Sequence, residues 1–244
     1  PEEALERAVE RLPRAGGRFE AALREARRPR VIAECKRRSP SRGILRREYD
    51  APALARAYER GGAVAISVLT EPAFFDGAPE HLQAVRAAVS LPVLRKDFIV
   101  CRYQILEARA WGAAAVLLIV AALDDRALGS LLRDAAALGV AALVEVHDAA
   151  ELTRAVDAGA RIIGVNNRDL RTLGVRTSTA SELIPRVPDG VLAVAESGIQ
   201  SRDDVARFES AGFDAFLVGE RLVTAADPAM ALSELMGRTP EATA

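Results

Sequence analysis

"AALVEVHDAAELTRAVDAGARIIGVN", residues 141–166, decides the fold. The runs 141–146 and 161–166 are short and mostly apolar, as buried strands are. Between them "DAAELTRAVDAG" has the mixed pattern of an amphipathic helix and stops at Gly159. Strand, helix and strand in this order make one βαβ unit. The unit recurs in both directions along the chain. Upstream lie "RVIAEC" (30–35), "AVAISVL" (63–69), "PVLRKD" (92–97) and "AVLLIV" (115–120); downstream lie "VLAVAE" (191–196) and "FDAFLV" (213–218). Amphipathic stretches separate them. "APALARAYERGG" stops at Gly61-Gly62 and "SLLRDAAALG" at Gly139, while "SRDDVARFESAG" runs from the capping residue Ser201 to Gly212.

Eight such runs, each followed by a helix, predict an α/β protein built as a closed (β/α)8 barrel, with an open doubly wound sheet as the structural alternative. Their apolar character suits parallel strands covered by helices. Residues 1–29 precede the first run and predict an N-terminal helical extension, broken at Pro13 and Gly16-Gly17. No low-complexity linker divides the chain, so residues 1–244 are expected to form a single domain.

The 244 residues are 50% hydrophobic and 27% charged, with a net charge of −1. That balance argues against general attraction to nucleic acid or membranes. The longest apolar run, 113–123, is too short to span a bilayer, and "PEEALERAVERL" lacks the apolar core of a signal peptide. Cys35 and Cys101 are the only cysteines, so no disulfide framework is expected and a reducing cytoplasm fits. With two histidines, His81 and His147, a His-based metal site has little to draw on. Dinucleotide fingerprint, P-loop and Gly-x-Ser-x-Gly elbow are all missing. Neither a metal nor an organic cofactor is expected.

Strand residues in a barrel alternate between the interior and the helix layer, and active sites gather at the C-terminal strand ends. Glu34 and Lys36 end the first run two residues apart, on one face; Cys35 then points outward. Lys96 ends the third run, Glu145 the fifth, Asn166 the sixth and Glu196 the seventh. One polar strand end means little, but five strands offering one at the same end predict a site. At each place the structural reading is an ion pair (Glu34 with Lys36, Lys96 with Glu145) or a turn (Asn166-Asn167, Ser197-Gly198). Two glycine turns, "ESGIQS" (196–201) and "VGERL" (218–222), follow strands seven and eight, where barrels commonly bind phosphate.

Together, "IAECKRRSPSRG", "GGAVAISVLTEPAFFDG", "LPVLRKDFIV", "LVEVH", "IIGVNNRDL", "AESGI" and "LVGERL" resemble the indole-3-glycerol phosphate synthase family of tryptophan biosynthesis, in family order from about residue 30 to 235. The resemblance implies a carboxy-lyase that works without metal or organic cofactor. It would close the indole ring of 1-(2-carboxyphenylamino)-1-deoxyribulose 5-phosphate, release carbon dioxide and eliminate water. Lys96 matches the family's acid and Glu145 its base, with Glu34 as partner in the dehydration. Lys36 falls at the lysine suited to the substrate carboxylate. Asn166, Glu196 and Arg168 match polar orienting positions. Phe75, Phe98, Leu117 and Leu170 match the apolar pocket, and Ser39, Ser197, Gly198, Gly219 and Glu220 the phosphate turns. Glu220 departs from the small serine of some members, and the N-terminal segment is short for the family. The resemblance further implies one small phosphorylated substrate as partner and a monomer, with a weak dimer as the alternative. Competing expectations are another phosphate-binding barrel, such as phosphoribosylanthranilate isomerase, and a catalytically inactive barrel that only binds.

Overall fold

The apolar runs form eight strands in the computed structural model, which describes residues 2–238. They are β1 (Val31–Cys35), β2 (Ala65–Leu69), β3 (Val93–Lys96), β4 (Ala115–Ile119), β5 (Ala141–Val146), β6 (Ile162–Asn166), β7 (Leu192–Glu196) and β8 (Ala215–Val218). All pair in parallel, and β8 closes on β1, so the sheet is a barrel rather than an open sheet. The helices are α1 (Glu2–Glu10), α2 (Gly16–Glu25), α3 (Ala51–Arg60), α4 (Pro72–Phe75), α5 (Pro79–Ala88), α6 (Arg102–Ala110), α7 (Asp125–Leu138), α8 (Ala149–Asp157), α9 (Ser178–Leu183), α10 (Arg202–Ala211), α11 (Glu220–Val223) and α12 (Pro228–Leu235). Side chains at their starts take up the otherwise unpaired amides. Asp124 accepts from Ala127 N at 2.7 Å, and Ser201 and Asp204 form a reciprocal box around the first turn of α10. No helix among the described residues is long and apolar enough to cross a membrane.

The period-two alternation divides the apolar residues into two cores. Val31, Ala33 and Cys35 face outward and pack with Leu54 and Tyr58 of α3, while Ile32 joins Leu94, Leu117, Leu143, Val194 and Leu217 inside the barrel. The alternation leaves Glu34 on the inner face above Ile32, and Cys35 buried under α3 with its thiol toward Ala51 O.

Two of the βα loops carry structure of their own. The first βα loop carries a small antiparallel hairpin, Arg38–Ser39 against Gly43–Ile44. The loop after β2 contains α4, whose first amides are capped by the Glu71 carboxylate at 2.8 and 2.7 Å.

The N-terminal helices belong to the opposite end. Phe19 and Leu23 of α2 are fully buried in the interior cluster with strand-start residues Ala65, Ala115, Ile162, Leu192 and Ala215. This helix therefore stoppers the floor of the barrel and does not reach the mouth. Arg109 donates to the carbonyls of Leu12 and Pro13, and Arg102 on α6 pairs with Glu6 of α1 at 2.6 Å. Close approach is possible because Gly16 has no side chain: a Cβ there would lie 2.6 Å from Ala141 N and 2.8 Å from Val140 C. Backbone cannot yield to a methyl group as a flexible side chain can. Gly16→Ala is expected to cost about 1–3 kcal/mol, the range for overpacking, despite alanine's better helix propensity. Denaturant unfolding of the variant checks this. An unchanged midpoint would mean that α2 does not press on β5.

Candidate active site

The C-terminal strand ends surround a cavity of about 490 Å³. Every residue singled out from the sequence lines it: Glu34, Lys36, Ser39, Phe75, Lys96, Phe98, Leu117, Glu145, Asn166, Arg168, Leu170, Glu196, Ser197, Gly198, Gly219 and Glu220. The two ion pairs read from the sequence, Glu34 with Lys36 and Lys96 with Glu145, are both present.

Two ion-paired groups form the floor. On β1, Lys36 Nζ lies 2.5 Å from Glu34 Oε1. Glu34 is thus paired with Lys36, as the sequence spacing allows. Across the barrel, Lys96 Nζ lies 3.2 Å from Glu145 Oε2 and 3.3 Å from Glu196 Oε2, linking β3 with β5 and β7. Both carboxylates are 1% exposed. Room for Glu196 comes from Gly164, which sits beside Glu145 in register; a Cβ on Gly164 would overlap the Glu196 carboxylate. In the same way, the bare Cα of Gly219 leaves space for the Glu34 carboxylate.

The charges follow from this crowding. Burial works against the Lys96 ammonium, but Glu145, Glu196 and Glu34 more than offset it and hold the lysine protonated. Burial alone would also raise Glu145; the Lys96 charge and then the His147 contact outweigh it and keep Glu145 ionised. Glu196 goes the other way. Burial, together with the Glu145 charge, pushes it up to about 8 against the pull of Lys96, and its Oε1 has no hydrogen-bond partner. One lysine therefore faces one ionised and one largely protonated carboxyl group, a division of labour suited to acid and base work in one pocket.

One wall is apolar. Leu117 is buried, Phe75 is half-buried, and Phe98 and Leu170 stand at the rim, 39% and 42% exposed. On the other side, the turns after β7 and β8 bring Ser197 and Gly198 near Gly219 and Glu220. Asn167 fixes the first turn. Its amide donates to the carbonyls of Glu196 and Ser197 at 3.2 and 3.1 Å, and its oxygen accepts from Ala180 N. Asn166 and Asn167 have no left-handed backbone; Ser197 does, with φ 63°. The Glu220 carboxylate turns to Arg42 at 2.9 Å and to Arg168 at 4.0 Å. Ser39 is buried on the hairpin, 3.5 Å from Ser41 Oγ.

Several lining residues were not picked out from the sequence. Ile119 follows the inward Leu117 by two positions, so the same alternation could have found it. His147, to which the sequence assigns no role, has its Nε2 3.3 Å from Glu145 Oε1 and its Nδ1 3.0 Å from Glu151 Oε2. Arg171 comes from a loop, where no periodicity points to it.

The model of the family described as indole-3-glycerol phosphate synthase matches residues 1–235. Curated relatives of that name include one from Kineococcus radiotolerans, 53% identical over 96% of this chain and 86% of its own length. Another, from Parafrankia sp., is 54% identical over the same shares. That from Mycolicibacterium smegmatis is 56% identical over 84% of this chain and 76% of its own. Among solved structures, 3-hexulose-6-phosphate synthase from Salmonella typhimurium is similar with a TM-score of 0.67 at 18% identity, covering 85% of this chain and 98% of that one. Thiamine phosphate pyrophosphorylase from Pyrococcus furiosus has a TM-score of 0.65 at 20% identity, covering 84% and 93%. At such identities these structures speak for the barrel alone.

Proposed function

The chain belongs to the indole-3-glycerol phosphate synthase family, and we propose that its barrel mouth converts 1-(2-carboxyphenylamino)-1-deoxyribulose 5-phosphate to indole-3-glycerol phosphate with Lys96 as the acid. The observation that carries this reading is the placement of Lys96 between Glu145 and Glu196 on the floor of a cavity with an apolar wall on one side and two glycine turns on the other.

Ring closure needs a proton on the sugar carbonyl oxygen as the electron-rich aryl carbon attacks. The Lys96 ammonium, sheltered and held charged by its carboxylates, is placed to give it. Lys36 serves the aryl carboxylate, which leaves as carbon dioxide when the ring regains its aromaticity. Leu117, Phe75, Phe98 and Leu170 shelter that step from water. Dehydration then takes a proton from the adjacent ring carbon and expels the hydroxyl as water. Glu145 is the base, and Glu34 acts in this step through its pair with Lys36. Asn166, Arg168 and Glu196 orient the substrate and these charges. Ser39, Ser197, Gly198, Gly219 and the backbone of Glu220 hold the phosphate, whose remote binding energy positions the reacting ends.

The proposal includes a cytoplasmic enzyme that acts as a monomer on one small substrate. The two free thiols, Cys35 and Cys101, suit a reducing compartment. Incubating the protein with the carboxyphenylamino substrate and following indole fluorescence tests the activity. Product growth proportional to enzyme is expected. Isomerisation of an aminoaldose without an indole signal would assign the barrel to the phosphoribosylanthranilate isomerase reaction. Tight binding without turnover would leave an inactive binding protein.

A further inference from the structure

The proposed reaction does not balance within the active site. As the neutral acid, the substrate loses carbon dioxide and water with no change in protons. As the carboxylate present at neutral pH, it consumes one proton per turnover. The proton given to the carbonyl oxygen leaves in water, and the electron pair left by carbon dioxide stays in the ring. The proton taken by the base in dehydration is matched by one given to the departing hydroxyl. Lys96 is therefore left one proton short, at the bottom of a pocket that the substrate fills.

A second cavity, about 320 Å³, lies beside the first. Asn166, Arg168 and Leu170 line both and separate them, and His147 and Glu151 line only the second. We propose that His147 and Glu151 form a proton inlet from this side cavity, recharging Lys96 through Glu145. The reading rests on the function proposed above. The groups stand in a file: Glu151 Oε2 is 3.0 Å from His147 Nδ1, His147 Nε2 is 3.3 Å from Glu145 Oε1, and Glu145 Oε2 is 3.2 Å from Lys96 Nζ. His147 Nε2 makes no aligned hydrogen bond at that separation, so the imidazole is seated beside Glu145 without being locked to it.

The surrounding charges favour a loaded imidazole. Glu145 on β5 and Asp148 and Glu151 at the start of α8 stand near it; Asp169, Arg168, Arg171 and Arg176 of the β6–α9 loop line the same cavity. Burial acts against its charge, but the two glutamates outweigh that and raise His147 to about 10, so it is protonated at neutral pH. While Lys96 is charged, it holds Glu145 ionised and the file is at rest. After Lys96 gives up its proton, that restraint on Glu145 vanishes. Glu145 then accepts the Nε2 proton of His147 on Oε1 and, once its carboxyl group has turned, passes that proton to Lys96 at Oε2. The neutral imidazole keeps its Nδ1 proton; a turn of the ring brings the bare Nε2 to the Glu151 side, where a proton from solvent restores the imidazolium.

His147 and Glu151 act through Glu145, so the chemistry of a first turnover, performed by enzyme already charged, should survive their loss. In His147→Ala, the single-turnover rate constant with enzyme in excess is expected within about threefold of wild type. The steady-state kcat is expected to fall roughly tenfold to a hundredfold, toward the lower range for a positioned proton carrier, and added imidazole should restore it. Glu151→Gln guards against a folding defect, because the amide oxygen can still accept from His147 N as the carboxylate does at 2.8 Å. It should show the same split. An equal fall in both rate constants, or an unchanged kcat in both variants, would overturn the inlet. Failure of wild-type protein to form the indole product would instead defeat the underlying function.

Discussion

Lys96→Ala is expected to lower kcat by roughly 10²–10⁴-fold, the range for removing a positioned general acid, with a much smaller change in substrate dissociation constant. The lysine meets both Glu145 and Glu196 at ion-pair distance, so its loss removes the proton donor and the charge that keeps Glu145 ionised. Two buried carboxyl groups then face each other without a cation, and Glu145 is driven toward its protonated form beside the already raised Glu196. Carboxyl groups raised in this way favour the fold when protonated. The variant should therefore be most stable in mild acid and lose stability as pH rises through their folded pKa, against the unfolded value near 4.3. Lys96→Arg separates the two roles. Arginine restores a cation but does not give up a proton near neutral pH, so stability should recover while kcat stays low. Single-turnover kinetics and thermal melts across pH measure both. Near-normal single-turnover chemistry in Lys96→Ala would remove the lysine from the acid role.

Ser197→Asp should act on binding instead. Ser197 has φ 63°, and aspartate is among the residues that tolerate that backbone region, so the turn itself should survive. Its new carboxylate would face a dianionic phosphate held by Ser197, Gly198 and Gly219. Two like charges about 4 Å apart repel by about 4 kcal/mol at an effective dielectric constant near 20, and an open pocket screens part of this. KM is expected to rise roughly a hundredfold or more, with kcat changed far less. The same substitution should relieve a dependence on phosphate: a substrate analogue lacking that group should bind wild type and variant alike. An unchanged KM would place the phosphate elsewhere in the cavity.

The barrel was legible because each strand repeats one local pattern and each helix ends at a recognisable stop. Inward positions followed from alternation. Glu34, Lys96, Glu145, Asn166 and Glu196 needed only a strand end and a parity. Two ion pairs, Glu34 with Lys36 and Lys96 with Glu145, were legible too, but the second partner of Lys96 was not. Whether Lys96 meets Glu145 alone or Glu196 as well depends on the barrel's curvature and on the space left at Gly164, which lies on a different strand from all three. His147 obeyed the same parity as Glu145 but stands just past the strand, where the rule loses its hold. The partners of Glu220, Arg42 and Arg168, come from distant loops, and no spacing in the sequence joins them. Ranking the chemistry further, as acid, base and orienting groups, drew on the family motifs and not on periodicity.

The stopper formed by α2 also bears on the order in which the molecule is made. Phe19 and Leu23 emerge from the ribosome before every strand of the barrel, and the neighbours that bury them are spread from Ile32 to Leu217. Their docking is complete only once nearly the whole barrel exists. A nascent chain thus carries two large apolar side chains without a home until the last strands have followed, in the state where aggregation competes with folding. Slow translation of the last strands would lengthen that exposure.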